Sequence, residues 1–252
     1  MTSPDPEMDP SENATGTWPV AKWKGFEVKK ADLVAGKNAE EVVRSITQLL
    51  EEEIVFCQLQ PRQRLVEDEI AERFGIKRYL ARQAIIELER LGLVERIRNR
   101  GAMVRLYSPR EVNDIHAVRE LLEVKAAELI PFPLDANALA ELEALQARHA
   151  EGIVERDKRK VFYANIAFHR ELFRHCANEA LIEAIEIFAQ KSHAYRSIFT
   201  SELEALQWAA DEHRAMVEAC RAGDRERLVT LCRDHLTPAK NRYIATWQSR
   251  FD

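Results

Sequence analysis

Three histidines carry most of the reactive chemistry that this sequence offers. His169 shares a helical face with Leu172 and Cys176. His213 shares one with Ala209, Met216, Val217 and Cys220, and His235 one with Leu228, Leu231 and Cys232. Residues three and four apart stack on one side of a helix, so each imidazole points with its apolar neighbours, into a core. Gly223-Asp224 breaks the chain between the last two segments. His213 lies about ten residues before that break and His235 about twelve after it, roughly 15–18 Å from the turn in both cases. His169 lies at a comparable depth before a second break at Asn178. Three imidazoles at one level of a helical bundle suit a divalent metal such as Zn²⁺, Ni²⁺ or Mn²⁺. Asn165, one turn before His169, could add an oxygen ligand, leaving one or two positions for water or a ligand carboxylate. A lone inward histidine is more often a hydrogen-bonded core residue, and both readings stand open on spacing alone.

Arg119 adds to this chemistry. It falls on the face of Ile115, Val118 and Leu122, and an inward guanidinium must be paired. Its partner is either a buried acid of the bundle or the carboxylate of a small effector, which arginine grips with two parallel hydrogen bonds. His116, Tyr195 and Arg196 are further candidates for the same pocket.

A second set of residues offers a different chemistry. Lys77, Arg78, Tyr79, Arg82 and Gln83 open a helical pattern. Arg78 and Arg82 are one turn apart and share a face. Arginine matches guanine and glutamine matches adenine with paired hydrogen bonds, and a helix N-terminus favours phosphate. Arg100 and Gly101 sit at a hairpin turn, where glycine lets the chain come close to a nucleic-acid backbone.

The elements that must hold these residues follow from periodicity. Residues 1–36 are polar and aperiodic, a flexible tail in which Trp18, Trp23 and Phe26 could dock on the body. From about Ala39 an apolar stripe of Val42, Ile46, Leu49, Leu50 and Ile54 predicts a helix that stops before Pro61. Arg64-Leu65-Val66 reads as a short strand, 67–74 as a helix, Gly75-Ile76 as a tight turn and 77–91 as a third helix capped by Gly92. Residues 93–97 and 102–106 read as two strands joined by Asn99-Arg100-Gly101. Two short helices across a glycine turn, then a hairpin, form a winged helix-turn-helix. Beyond Ser108, helices are predicted at about 109–130, 135–156, 159–177, 179–203, 205–222 and 224–247, an antiparallel bundle. The chain is thus read as mainly α: a tail over 1–36, a winged helix-turn-helix over 37–107, and an all-helical domain over 108–252.

Charge agrees with this division. Residues 61–105 hold eleven Lys and Arg against seven Asp and Glu, a balance of +4, so a net charge of −5 leaves −9 for the rest of the chain. A basic module on an acidic body suits a protein that meets double-stranded DNA with one part only. No apolar run is long enough for a membrane span and the first 30 residues lack a signal core, so a cytoplasmic protein is expected. Cys57, Cys176, Cys220 and Cys232 form no CxxC pair and read as buried free thiols. A di-iron enzyme would need Glu-x-x-His pairs, whereas Glu212 adjoins His213 and so faces elsewhere. No general base stands beside the histidines, and catalysis is not expected.

Residues 61–105 resemble the GntR family of bacterial regulators. The resemblance rests on Pro61, Leu65, Glu67, the stretch Glu69-Ile70-Ala71-Glu72-Arg73-Phe74-Gly75-Ile76, Arg78, Arg82, Ala84, Leu88, Leu91-Gly92-Leu93-Val94 and Asn99-Arg100-Gly101. It implies that Arg78, Arg82 and the wing near Gly101 bind the operator. Lys77, Tyr79, Leu80 and Gln83 replace the family's usual Ser, Thr, Pro and Glu, which removes a helix cap and enlarges the basic surface, so the family's usual operator sequence does not carry over to this chain. Residues 109–240 resemble the FCD effector domain of the FadR branch, through Arg119 with Leu122-Glu123 and Ala126-Ala127, Asn165-Ile166-Ala167-Phe168-His169, Asn178, Glu212-His213, Ala219 with Gly223-Asp224, and His235-Leu236. This implies a metal held by Asn165, His169, His213 and His235, with Asn where Asp is usual, and an organic acid or acyl metabolite as effector. It also implies a homodimer on a near-palindromic operator, with repression relieved by ligand. A bundle that only dimerises is the alternative.

Overall fold

A computed structural model describes residues 36–97, 101–196 and 202–251. The sequence expectations for Trp18, Trp23, Phe26, Asn99 and Arg100 fall outside the described residues.

Helix α1 (Ala39–Val55) starts at a capping box, in which Asn38 accepts from the Glu41 amide and Glu41 accepts from the Asn38 amide. This satisfies two of the four amides left free at a helix start. Its stripe of Val42, Ile46, Leu49, Leu50 and Ile54 is buried as the spacing predicts. Strand β1 (Arg64–Leu65) leads to α2 (Glu67–Phe74). Gly75 ends that helix at φ 66°, a left-handed conformation open to glycine at little cost. The next helix, α3 (Arg78–Arg90), begins at Lys77, whose side chain makes no capping hydrogen bond, as expected where lysine replaces serine. Strands β2 (Val94–Ile97) and β3 (Gly101–Val104) pair antiparallel, and β1 joins the other edge of β3, giving the order β1-β3-β2. Ile46, Leu50, Leu88 and Leu93 lie at the centre of the core that these elements enclose.

The remainder is helical. Ser108 and Glu111 form a second capping box at α4 (Pro109–Leu129). Then follow α5 (Ala136–Glu155), α6 (Lys158–Arg174), α7 (Glu179–Arg196), α8 (Leu203–Ala222), α9 (Arg225–His235) and α10 (Thr237–Phe251). α5 packs on α6 and α8, and α9 on α4 and α8, around Phe168, Leu172, Met216, Cys220 and Leu228. The single helix expected over 224–247 is two helices, broken at Leu236. Pro238 explains the break, since it has no N–H to donate and its ring crowds the carbonyl four residues back. All four cysteines are free and buried, as expected.

Both parts meet directly. α1 packs on α7, Gln48 Nε2 donates to the Tyr163 hydroxyl at 2.8 Å, and Arg159 Nε donates to Glu52 at 3.0 Å. The Tyr107 hydroxyl donates to the Gly92 carbonyl at 2.7 Å, and the Tyr243 hydroxyl donates to the Tyr107 carbonyl at 2.8 Å. Gly92 is obligatory here, because its φ is 77° and a Cβ would stand 2.8 Å from the Tyr107 hydroxyl.

Candidate metal centre and nucleic-acid interface

The bundle brings His169, His213 and His235 together. One ligand nitrogen from each lies within 4.8 Å of the others, and the Nε2 atoms of His169 and His213 are 3.2 Å apart. Two nitrogens held at about 2.0–2.1 Å from one ion stand about 3.0–3.4 Å apart, so this pair matches a shared cation. Stacking fixes the rings: His213 lies on Phe168 with centroids 4.3 Å apart, and His235 on Trp208 at 5.4 Å. The three Nδ1 atoms are buried with no hydrogen-bond partner, so ring packing, and no bond to Nδ1, orients the imidazoles. Burial pushes all three pKa values down, His235 to about 3, with the neighbouring positive groups adding to the effect. At neutral pH the rings are therefore uncharged and keep lone pairs for a cation, which is the form that binds metal.

Asn165 is buried one turn from His169, and no hydrogen bond joins its side chain to another described residue. It lines a cavity of about 290 Å³ with His169, Arg119, Arg196, His193 and Glu51. The residues present fit a divalent ion, with three neutral nitrogens and one amide oxygen available beside an open space.

The guanidinium of Arg119 is buried and already engaged. Its Nε donates to Glu123 at 2.8 Å and its Nη1 donates to Ser192 at 3.1 Å. Of the two partners that the sequence allows, the buried acid is present. Arg196 lines the same cavity, and no ion pair or hydrogen bond joins it to another described residue. Burial, with Arg119 nearby, lowers its pKa to about 10. His116 and Tyr195 do not line the cavity. His116 faces Glu120 at 3.6 Å, and Tyr195 packs between Tyr107 and Tyr243.

Sequence reasoning missed His149, His193 and Glu51. His149 is buried on α5 with its ring centroid 4.8 Å from His213. Burial lowers its pKa to about 4. Its spacing from Leu142 and Ile153 puts it on an apolar stripe, a signal of the same kind that revealed the other three.

The second site lies on α3. Arg78 and Arg82 are 59% and 51% exposed, so both can reach a partner outside the chain. Both also hold Glu67 of α2: Arg78 Nε and Arg82 Nε each donate to it at 2.9 Å. These bonds, Arg82's first, pull the Glu67 pKa down to about 2. Lys77, Tyr79 and Gln83 are exposed beside them, and Gly101 is exposed at the start of β3.

Two family profiles match this chain. Residues 42–104 match the bacterial regulatory proteins of the gntR family, and residues 114–238 match the FCD domain. The chain belongs to the GntR family. This GntR-family transcriptional regulator is 27% identical over 205 residues to an HTH-type transcriptional regulator in an unstable DNA locus of Streptomyces ambofaciens, covering 81% of this chain and 85% of that one. It is 29% identical over 161 residues to the "Probable D-xylose utilization operon transcriptional repressor" of Paenarthrobacter nicotinovorans, covering 64% and 70%. Its fold matches a GntR regulator from Rhodococcus sp. RHA1 with a TM-score of 0.69 at 18% identity, covering 81% of this chain and 97% of that one. It also matches E. coli McbR/YncC with a TM-score of 0.66 at 20% identity, covering 83% and 98%. The family shows a DNA-binding regulator, with the exposed cations of α3 on the helix-turn-helix and the histidines inside the FCD domain. No helix among the described residues is long and apolar enough to cross a membrane.

Proposed function

We propose that this regulator is a homodimeric repressor whose operator affinity is controlled by a small organic acid or acyl metabolite held in the helical domain beside a divalent metal. Residues 37–107 form the DNA-reading module, 108–252 the sensing and dimerising domain, and 1–36 a tail. The observation that carries this reading is the cavity that His169 and Asn165 share with Arg119 and Arg196. Asn165, His169, His213 and His235 would hold the ion, which when bound supplies positive charge and open positions for a carboxylate oxygen. Arg196 offers a charge-assisted hydrogen bond to an acid, while Glu123 holds Arg119 rigid behind it.

At the other end, Lys77, Arg78, Tyr79, Arg82 and Gln83 enter a major groove, and Arg100 and Gly101 contact the backbone or the minor groove. Two such helices in a dimer meet successive grooves about 34 Å apart, which calls for a near-palindromic operator. A relative named as a repressor supports the direction of control.

Elemental analysis of the purified protein, with a thermal-shift screen of small carboxylic acids, tests the sensing half. Near-stoichiometric Zn, Ni or Mn and a stabilising acid are the expected results. A metal-free protein indifferent to every acid would instead support a bundle that only dimerises.

A further inference from the structure

One wall of the cavity belongs to the DNA-reading module itself. Glu51 of α1 lines it opposite the bundle residues. Its Oε1 meets His193 Nδ1 of α7 at 3.1 Å, across 142 residues of sequence. Both side chains are largely buried, 15% and 10% exposed. Arg196 lies one turn along α7 from His193. Arg119 is neutralised by Glu123, and the other acid of the wall, Glu186, is held by Arg170 at 2.7 Å. Among the described residues, the cavity therefore presents one cation without a counter-ion, Arg196. It also presents one acid, Glu51, whose contact is with a histidine of the other module.

We propose that an anionic ligand binds to Arg196 and opens the Glu51–His193 contact, so that α1 shifts against the bundle when the cavity is filled. The proposal rests on the reading of this cavity as an acid sensor and names its anchor and its coupling contact. An anion seated on Arg196 shares the cavity with the largely buried Glu51 carboxylate, where like charges repel more than in bulk water. His193, once released, can donate to the ligand in place of Glu51. Gln48–Tyr163 and Arg159–Glu52 keep α1 attached, so it moves without leaving. By linkage, whatever loosens α1 also favours the ligand.

The test uses the full chain, citrate and lactate as probes, and an operator selected from random DNA. Calorimetry gives acid binding, amide hydrogen exchange reports residues 39–55, and anisotropy gives operator affinity. In the wild type, a bound acid should speed exchange across 39–55 at least threefold. Arg196→Gln should weaken acid binding at least tenfold while Arg119→Gln, if it folds, changes it less. Glu51→Gln and Glu51→Ala should bind the acid more tightly. Without any acid, they should already show the exchange and operator affinity of the acid-bound wild type. Glu51 variants that exchange like the free wild type and respond to acid as it does would overturn the coupling, with the sensor reading intact. Unchanged acid binding in Arg196→Gln would overturn the anchor. Binding of neither acid to the wild type would overturn both this proposal and the acid-sensor reading beneath it.

Discussion

The two clusters of polar side chains in this regulator sit at opposite extremes of solvation. Arg78 and Arg82 stand more than half exposed and are tied to acids at the start of α2, both to Glu67 and Arg78 also to Asp68, whereas His213 is wholly buried and His235 nearly so. In water a cation keeps its charge cheaply and can exchange one anionic partner for another, as a surface that meets phosphate must. In the core an imidazole keeps its place by giving up its charge, as a ligand for a cation must. The same chain thus keeps exposed charge on its helix-turn-helix and neutral lone pairs inside its FCD domain.

Four substitutions sharpen or break this contrast. The largest effect is expected from His213→Ala, which removes one of three clustered nitrogens. Metal affinity should fall by about 100-fold or more, beyond the usual effect of altering an outer partner, and chelator competition measures it. Unchanged stoichiometry would show the ligand set to be wrong. Arg82→Ala comes next: loss of a paired contact to a base should cost about 1–3 kcal/mol of operator affinity, roughly 5–150-fold, with the bundle still folded by circular dichroism. Asn165→Asp should raise metal affinity by placing an anion at the centre, readable in the same chelator competition; a fall would remove residue 165 from the ligand set.

The smallest effect belongs to Glu67. Its carboxyl pKa is depressed from the ordinary 4.5 to about 2 in the folded chain. The stability it contributes is therefore complete above about pH 4.5 and is lost as the pH falls toward 2. Glu67→Gln should flatten acid unfolding in that window, by about 0.2–1 kcal/mol for so exposed a pair. An identical acid profile would show that Arg78 and Arg82 are not held by Glu67 in solution.

Local pattern made much of this legible. The bounds of α2 follow from Glu67 at its start and Gly75 at its end, and the stripes around His169, His213 and His235 predict their meeting because helical period and turn position fix depth. Contacts between distant segments were not legible: nothing near Glu51 in sequence points to His193. The ties from Arg78 and Arg82 to Glu67 depend on how α2 crosses α3. The Arg119–Glu123 pair lay within reach, being i,i+4 on one helix. The break before α10 was overlooked because an apolar stripe runs on through Pro238, which the backbone cannot follow.

A crossed experiment tests the central claim, that reading and sensing reside in separate clusters. Operator affinity and acid-induced thermal shift are measured together for wild type, Arg82→Ala and His213→Ala. Arg82→Ala should weaken operator binding and keep the shift, while His213→Ala should bind operator and lose the shift. A single substitution that abolishes both, in protein that remains folded, would contradict the account.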